Sequence, residues 1–309
     1  MNNTIIFEAV EKAVQAASLS THYKERVGAC VFDLQAQVVE HEGYANIVPP
    51  LLEQHFMREA RLGSSSIYLH SEIAALFACE TATERMALAV TTPPCPNCAK
   101  LIVEAGISHI FIDANGANTH FAEQRENDIE LMSKKILSLA GIQVFWANRE
   151  ERTITSFVDC VVPGPLPTQG LYKVAPNFDQ LIKQFDGEAM AAALIAPDTM
   201  LVALEALPPG MTPSHYDRTK SAEDKYRFTV DPLSRLLIHC KRQGVSITEA
   251  TVICFNHPSS RALVNAVGFG VRHIHYYDAQ PDHGVHGPES AQALEEKGIL
   301  TVTGLINRP

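Results

Sequence analysis

Two short stretches, His70-Ser71-Glu72 and Pro94-Cys95-Pro96-Asn97-Cys98, hold the side chains best suited to chemistry in this chain of 309 residues. Two thiols and one imidazole suit zinc, and three protein ligands rather than four leave a coordination position open for a reacting water. Cys95 and Cys98 stand three residues apart, so on a helix they share one face and can reach one ion. Pro96 fits a first helical turn, where its missing N–H costs nothing. The positive end of the helix dipole there favours thiolate over thiol. His70 opens a second apolar stretch, Ile73 to Ala78, which reads as a helix packed on the core and sets Glu72 near the ion without ligating it.

Zinc held this way lowers the pKa of water from about 15.7 to about 7 and supplies hydroxide at neutral pH. Glu72 is then the expected proton carrier. Such a centre suits a hydrolysis in which hydroxide attacks a carbon and Glu72 delivers the proton to the leaving group. A redox role for the Cys pair leaves His70 and Glu72 unexplained. A closed structural zinc site needs a fourth ligand, which no nearby Cys supplies at metal-site spacing; Cys79, nine residues beyond His70, reads as core packing.

The positioning elements read as helix 4–19, strands 26–33 and 36–44, a ligand-bearing helix from 70, strand 86–92, a second ligand-bearing helix from 95, strand 108–113, helix 126–140 and strand 142–147. Strands alternating with helices predict an α/β fold with a mixed sheet covered on both faces.

Residues 1 to about 150 resemble the cytidine and deoxycytidylate deaminase superfamily. Arg26-Val27-Gly28-Ala29-Cys30-Val31-Phe32-Asp33 resembles its first strand, and Val38 to Asn46 its second strand and the following loop. Thr91 to Lys100 resembles its T-x-x-P-C-x-x-C-A-K run; Ala105-Gly106-Ile107 with Ile110-Phe111-Ile112, and later Leu137 to Val144, resemble its closing elements. The resemblance implies a three-layer α/β/α fold, bound Zn2+, ligands His70, Cys95 and Cys98, catalytic Glu72, and a homodimer. It also implies that Asn46 contacts substrate and that the backbone N–H groups of Ser71 and Cys95 can donate to the substrate's polar edge. Histidine as first ligand resembles the deoxycytidylate, tRNA-adenosine and polynucleotide-editing branches. Ile67-Tyr68-Leu69 and the long 47–66 segment favour the deoxycytidylate branch. Ser71 departs from the family's usual Ala, and Ala74 stands where deoxycytidylate enzymes commonly carry Asn.

With 46% hydrophobic and 19% charged residues the chain is globular, and its length suits two domains. No apolar run is long enough to span a membrane, and the start, Met1-Asn2-Asn3-Thr4, has no basic n-region, so no signal peptide is expected. Seven Cys with one close pair given to metal favour a reducing cytoplasm. A net charge of −10 without a Lys/Arg tract argues for a small nucleobase-containing substrate and against nucleic acid. Lys24, Arg26, Arg58 and Arg61 are the cations considered for one phosphate; each also reads as solvated surface.

Pro163-Gly164-Pro165-Leu166-Pro167-Thr168-Gln169-Gly170 is the strongest linker signal, dividing a catalytic domain 1–160 from a second domain 171–309. Four segments of the second half repeat the first at nearly one offset: Asp231 lies 161 residues beyond His70, Ser259 lies 164 beyond Cys95, Gly270 lies 164 beyond Gly106, and Ala191 lies 163 beyond Gly28. A near-constant offset predicts a duplicated, deaminase-like second domain. Asp231, Leu233, Ser259 and Ala262 stand for the ligands and Glu72, so that copy holds no zinc. An unrelated α/β domain is the alternative. His273, His275, His283 and His286 form a late cluster weighed as a second metal site, with no acid or Cys at matching spacing.

Overall fold

The computed structural model describes residues 3–36, 38–39, 41–116, 129–185, 188–213, 229–247, 250–277 and 286–305. Two compact units divide the chain: Met1–Ile47, Tyr68–Thr168 and Pro208–Tyr216 make the first, and Val48–Ile67, Gln169–Leu207 and Asp217–Pro309 the second. One passage between the units falls inside the Pro163–Gly170 stretch; the chain also leaves the first unit after Ile47 and re-enters it at Tyr68.

The first unit is built on a six-stranded mixed sheet. Its strands are β1 (Gly28–Phe32), β2 (Tyr44–Ala45), β5 (Ala87–Val90), β6 (His109–Asp113), β7 (Gln143–Asn148) and β8 (Thr153–Val158), in the order β2-β1-β5-β6-β7-β8. β1 runs antiparallel to both β2 and β5, whereas β5, β6 and β7 are parallel. Helix α1 (Asn3–Ser18) lays Ile5, Ile6, Phe7, Ala9, Val10 and Ala13 on Cys30, Phe32, Ala87, Ala89 and Phe111, which are alternate residues of neighbouring strands and so share one sheet face. Residues of the opposite parity, Ala29, Val31, Leu88, Val90, Ile110 and Ile112, are as deeply buried. A sheet buried on both faces explains why these strands read as continuous apolar runs rather than as alternating ones.

On the far face lie α3 (Ser71–Ala78), α4 (Pro96–Glu104) and α5 (Ile129–Leu139), with α3 packed on β1, β2 and α4. Gly28 is where α1 comes closest to the sheet: an added Cβ would sit 1.9 Å from the Ala13 carbonyl oxygen. Any larger residue must push the helix off the strand that leads to the site.

The expected strand 36–44 is reduced to Tyr44–Ala45 among the described residues. The preceding backbone is held from α1 instead, since the Lys12 ammonium donates to the Val39 and His41 carbonyls at 2.8 and 3.1 Å. These carbonyls bond a side chain where a ladder would have supplied strand partners. Strand β8, absent from the sequence reading, closes the sheet edge beyond β7.

The second unit has its own six-stranded sheet. It contains β9 (Tyr172–Val174), β10 (Met190–Ala196), β11 (Thr199–Leu204), β12 (Thr251–Cys254), β13 (His273–Tyr277) and β14 (Thr301–Leu305), ordered β14-β13-β12-β10-β11-β9. β10 is antiparallel to β11 and β12, while β12, β13 and β14 are parallel. The run β11-β10-β12-β13-β14 therefore has the order and strand senses of β2-β1-β5-β6-β7. Helices occupy the same connections: α6 (Phe178–Gln184) precedes β10, α7 (Pro232–Arg242) precedes β12, α8 (Ser260–Phe269) precedes β13 and α9 (Gly287–Glu296) precedes β14. The sixth strand differs, β9 pairing with β11 at the edge opposite to the one β8 takes. The core of this unit gathers Leu181, Phe185, Met190, Ala192, Val202 and Ile253.

The short helix α2 (Pro50–Glu53) and the two-residue strands β3 (Arg61–Leu62) and β4 (Ser65–Ser66) lie in the Val48–Ile67 segment and so belong to the second unit.

Candidate metal centre

His70 and Cys95 each occupy the N-cap of the helix that follows, with extended backbone (φ −68°, ψ 145° and φ −69°, ψ 163°). Pro96 starts α4 in the first turn, as its lack of an N–H allows. The Cys98 N–H, one of the donors left unpaired at a helix start, points to the Cys95 sulfur at 3.5 Å. Packing of α3 on α4 brings the two N-termini together. His70 Nδ1 then lies 3.2 Å from Cys98 Sγ and 3.6 Å from Cys95 Sγ. The three ligand atoms lie within 4.8 Å of one another.

These separations fit one tetrahedral ion. With Zn–S near about 2.3 Å and Zn–N near about 2.0 Å, neighbouring ligand atoms around zinc stand roughly 3.5 Å apart. The donor set of one imidazole and two sulfurs at two positive helix ends matches zinc and leaves a fourth position for a non-protein ligand. Among the described residues no other three His, Cys, Asp or Glu side chains meet this way.

Glu72 lies in the first turn of α3 and is 4% exposed, on a helix whose next four residues, Ile73, Ala74, Ala75 and Leu76, are all buried. A carboxylate in such surroundings is held by the helix N-terminus and by hydrogen bonds. The Ser71 hydroxyl donates to Glu72 Oε2 at 3.3 Å. Ser71 thus gives the carboxylate a bond that an Ala there would lack.

Asn46 is buried, and its amide ties the 20–27 loop to the end of β2. Its Oδ1 accepts from the Ser20 hydroxyl at 2.5 Å and the Val27 N–H at 3.0 Å, while Nδ2 donates to the Glu25 carbonyl at 2.9 Å. Cys79 packs in the core, its sulfur 3.6 Å from His41 Nε2. Arg58 pairs with Glu53 at 3.1 Å on an exposed face. Lys24 and Arg26 belong to the first unit, Arg58 and Arg61 to the second. In the late His cluster, His273 and His275 lie on β13, His286 caps α9 and faces Glu289 at 3.6 Å, and His283 lies outside the described residues.

The sequence reading overlooked His22. Its ring stacks on Tyr23 at 5.0 Å and meets Tyr68 at 4.3 Å, and its Nδ1 accepts the N–H groups of Lys24 and Glu25. Burial first, then the nearby His70 and Lys24, lower its pKa to about 4. No spacing pattern links residue 22 to residue 70; only the fold does. Burial instead pushes the Cys30 and Cys240 thiols up to about 12, so neither is a nucleophile at neutral pH.

His22 has a consequence for acid stability. Between about 4 and 6.5 the unfolded chain takes up a proton that the folded imidazole refuses, so stability is complete above 6.5 and falls as pH drops towards 4. Burial lowers His109 and His257 in the same direction. Urea midpoints of the chelator-treated protein are expected to decline over this range. The decline should be shallower in His22→Asn, whose amide oxygen replaces Nδ1 as acceptor; equal slopes would exclude His22 as a source.

The family model "Cytidine and deoxycytidylate deaminase zinc-binding region" matches residues 5–114, a span that includes all three ligands and Glu72. Two solved structures of the dCMP deaminase from cyanophage S-TIM5 are similar to part of this chain. The apo form is 20% identical and covers 40% of this chain and 94% of its own, with a TM-score of 0.30. The form in complex with dCMP and dUMP is 19% identical over 40% and 93%, also at 0.30. No curated protein matches the chain. Among the described residues no helix is long and apolar enough to cross a membrane.

In the second unit, other residues stand at the helix positions that His70, Glu72, Cys95 and Cys98 take in the first. Asp231 is the N-cap of α7 as His70 is of α3, and Ser259 the N-cap of α8 as Cys95 is of α4. Leu233 takes the helical place of Glu72 and Ala262 that of Cys98. The Asp231 carboxylate accepts from the Ser234 N–H through Oδ1 and from the Ser259 N–H through Oδ2, both at 3.2 Å. One side chain joins the two helix starts.

Proposed function

We propose that the first unit is a zinc-dependent hydrolytic deaminase of a cytosine nucleotide such as deoxycytidylate. The observation carrying this reading is the buried Glu72 carboxylate in the same first helical turn that His70 caps, beside a three-atom ligand set. A structural zinc needs no such acid.

His70 Nδ1 and the sulfurs of Cys95 and Cys98 would hold the ion. Bound there, zinc supplies an acidified water at the amino-bearing carbon of the base. Glu72 takes that water's proton and gives it to the ring nitrogen beside the carbon. As the new hydroxyl becomes a carbonyl, Glu72 takes its proton and passes it to the amino group, which leaves as ammonia. Ser71 steadies the carboxylate, and the backbone N–H groups near Ser71 and Cys95 face the polar edge of the base. Asn46 sets the 20–27 loop through its three bonds and so shapes the substrate's approach. A net charge of −10 supports a small substrate over a polynucleotide.

The matched strand order, the four matched helices and the N-cap positions of Asp231 and Ser259 support reading the second unit as an inert copy of the first. Ammonia release from deoxycytidylate, cytidylate, deoxycytidine, cytosine, guanine and adenosine tests the substrate. Turnover is expected with deoxycytidylate foremost. Activity on unphosphorylated compounds alone would overturn the nucleotide assignment, and silence throughout from zinc-loaded protein would overturn deamination of small molecules.

A further inference from the structure

A second group of metal-binding side chains gathers in the first unit, at the end of α3 remote from His70. Cys79 is the C-cap of that helix, about 13 Å along the axis from His70. Its buried sulfur lies 3.6 Å from His41 Nε2, 4.0 Å from Met86 Sδ and 3.6 Å from the Thr81 hydroxyl, which is itself 3.5 Å from His41 Nε2. The thiol also donates to the Thr81 carbonyl at 3.5 Å. The backbone on either side is fixed. Lys12 donates to the His41 carbonyl at 3.1 Å, the Met86 N–H donates to the Thr83 carbonyl at 3.1 Å, and the Met86 carbonyl accepts the Ser108 N–H at 2.8 Å. Met86 Sδ and the Thr81 carbonyl oxygen are acceptors only, and one thiol proton cannot serve both.

The geometry points to a site for a soft monovalent cation, Cu(I), held by Cys79 Sγ, His41 Nε2 and Met86 Sδ. A thiolate and a thioether in one set select Cu(I) over harder cations. Around a planar three-coordinate ion with bonds of about 2.0 Å to nitrogen and about 2.3 Å to sulfur, nitrogen and sulfur stand about 3.7 Å apart and two sulfurs about 4.0 Å. Both separations measured from Cys79 Sγ, 3.6 Å to nitrogen and 4.0 Å to sulfur, agree with that arrangement. The cation takes the place of the thiol proton, which leaves to solvent, and the thiolate then accepts from the Thr81 hydroxyl; no electron is transferred. The C-terminus of α3 is the negative end of the helix dipole, and the exposed Glu42 and Glu80, which together with Cys30 and Cys79 raise the pKa of the half-buried Tyr44 phenol behind the effect of its burial, add negative charge. Exposed Thr81 and half-buried His41 give the ion a way in. Cys30, whose thiol burial pushes up to about 12, keeps its proton and does not compete.

The test is anaerobic titration of the full-length, zinc-loaded chain with Cu(I) against the chromophoric chelator bicinchoninate, with copper and zinc counted in the same sample. One copper is expected to bind while the zinc stays, and X-ray absorption at the copper edge should show two sulfur neighbours at about 2.3 Å. Cys79→Ser should weaken copper binding by more than about a hundredfold, beyond what loss of a ligand's supporting partner costs. Met86→Leu, which keeps the volume and removes one donor, should weaken it by at least about tenfold. Failure of the parent to take copper from bicinchoninate, uptake matched by equal zinc loss, or parental affinity in a Met86→Leu protein with unaltered melting would each overturn the site.

Discussion

Glu72→Gln is expected to bind zinc as the parent does and to lose deamination by at least about a thousandfold, within the range that a positioned general acid–base supplies. The amide matches the carboxylate in size, so α3 and the ligand set stay in place. It cannot accept a proton from water or return one to the ring nitrogen. Ser71, which donates to Oε2 at 3.3 Å, can instead accept from the amide, which keeps the side chain in its pocket. Ammonia release and elemental analysis on one preparation check this. Activity within tenfold of the parent would remove Glu72 from the reaction.

Cys98→Ala is expected to cost more than the roughly 10–100-fold in metal affinity that loss of a ligand's supporting partner costs, because a ligand itself is gone. Two ligands cannot keep a tetrahedral ion against a chelator. Dialysed protein should therefore carry almost no zinc and release no ammonia. The thermal stabilisation that added zinc gives the parent, through binding to the folded state alone, should vanish as well. Retained stoichiometric zinc would mean that another side chain completes the site.

The ligands were legible in the sequence because their geometry is local. Pro96 marks a helix start, the three-residue spacing of Cys95 and Cys98 sets both on one face, and His70 precedes an apolar helix. The near-constant offset set Asp231 opposite His70 and Ser259 opposite Cys95, and each of the four is the N-cap of a helix. What depends on distant partners was not legible. Lys12 captures the carbonyls of Val39 and His41 from 27 and 29 residues away and leaves little of the expected strand. The allegiance of 48–67 to the second unit rests on partners such as Arg261, 195 residues beyond Ser66. His22 reaches His70 through a loop whose course is set by Asn46, again from afar.

Asp231 gives the second unit a different relation to metal supply. Its carboxylate ties together two helix starts with bonds internal to the chain, where the first unit relies on an ion that can be lost. The bonds that join the helix starts at Asp231 and Ser259 involve no cation. Chelation is therefore expected to loosen the helix starts at His70 and Cys95 and to leave those at Asp231 and Ser259 as they are, a difference that amide exchange reads.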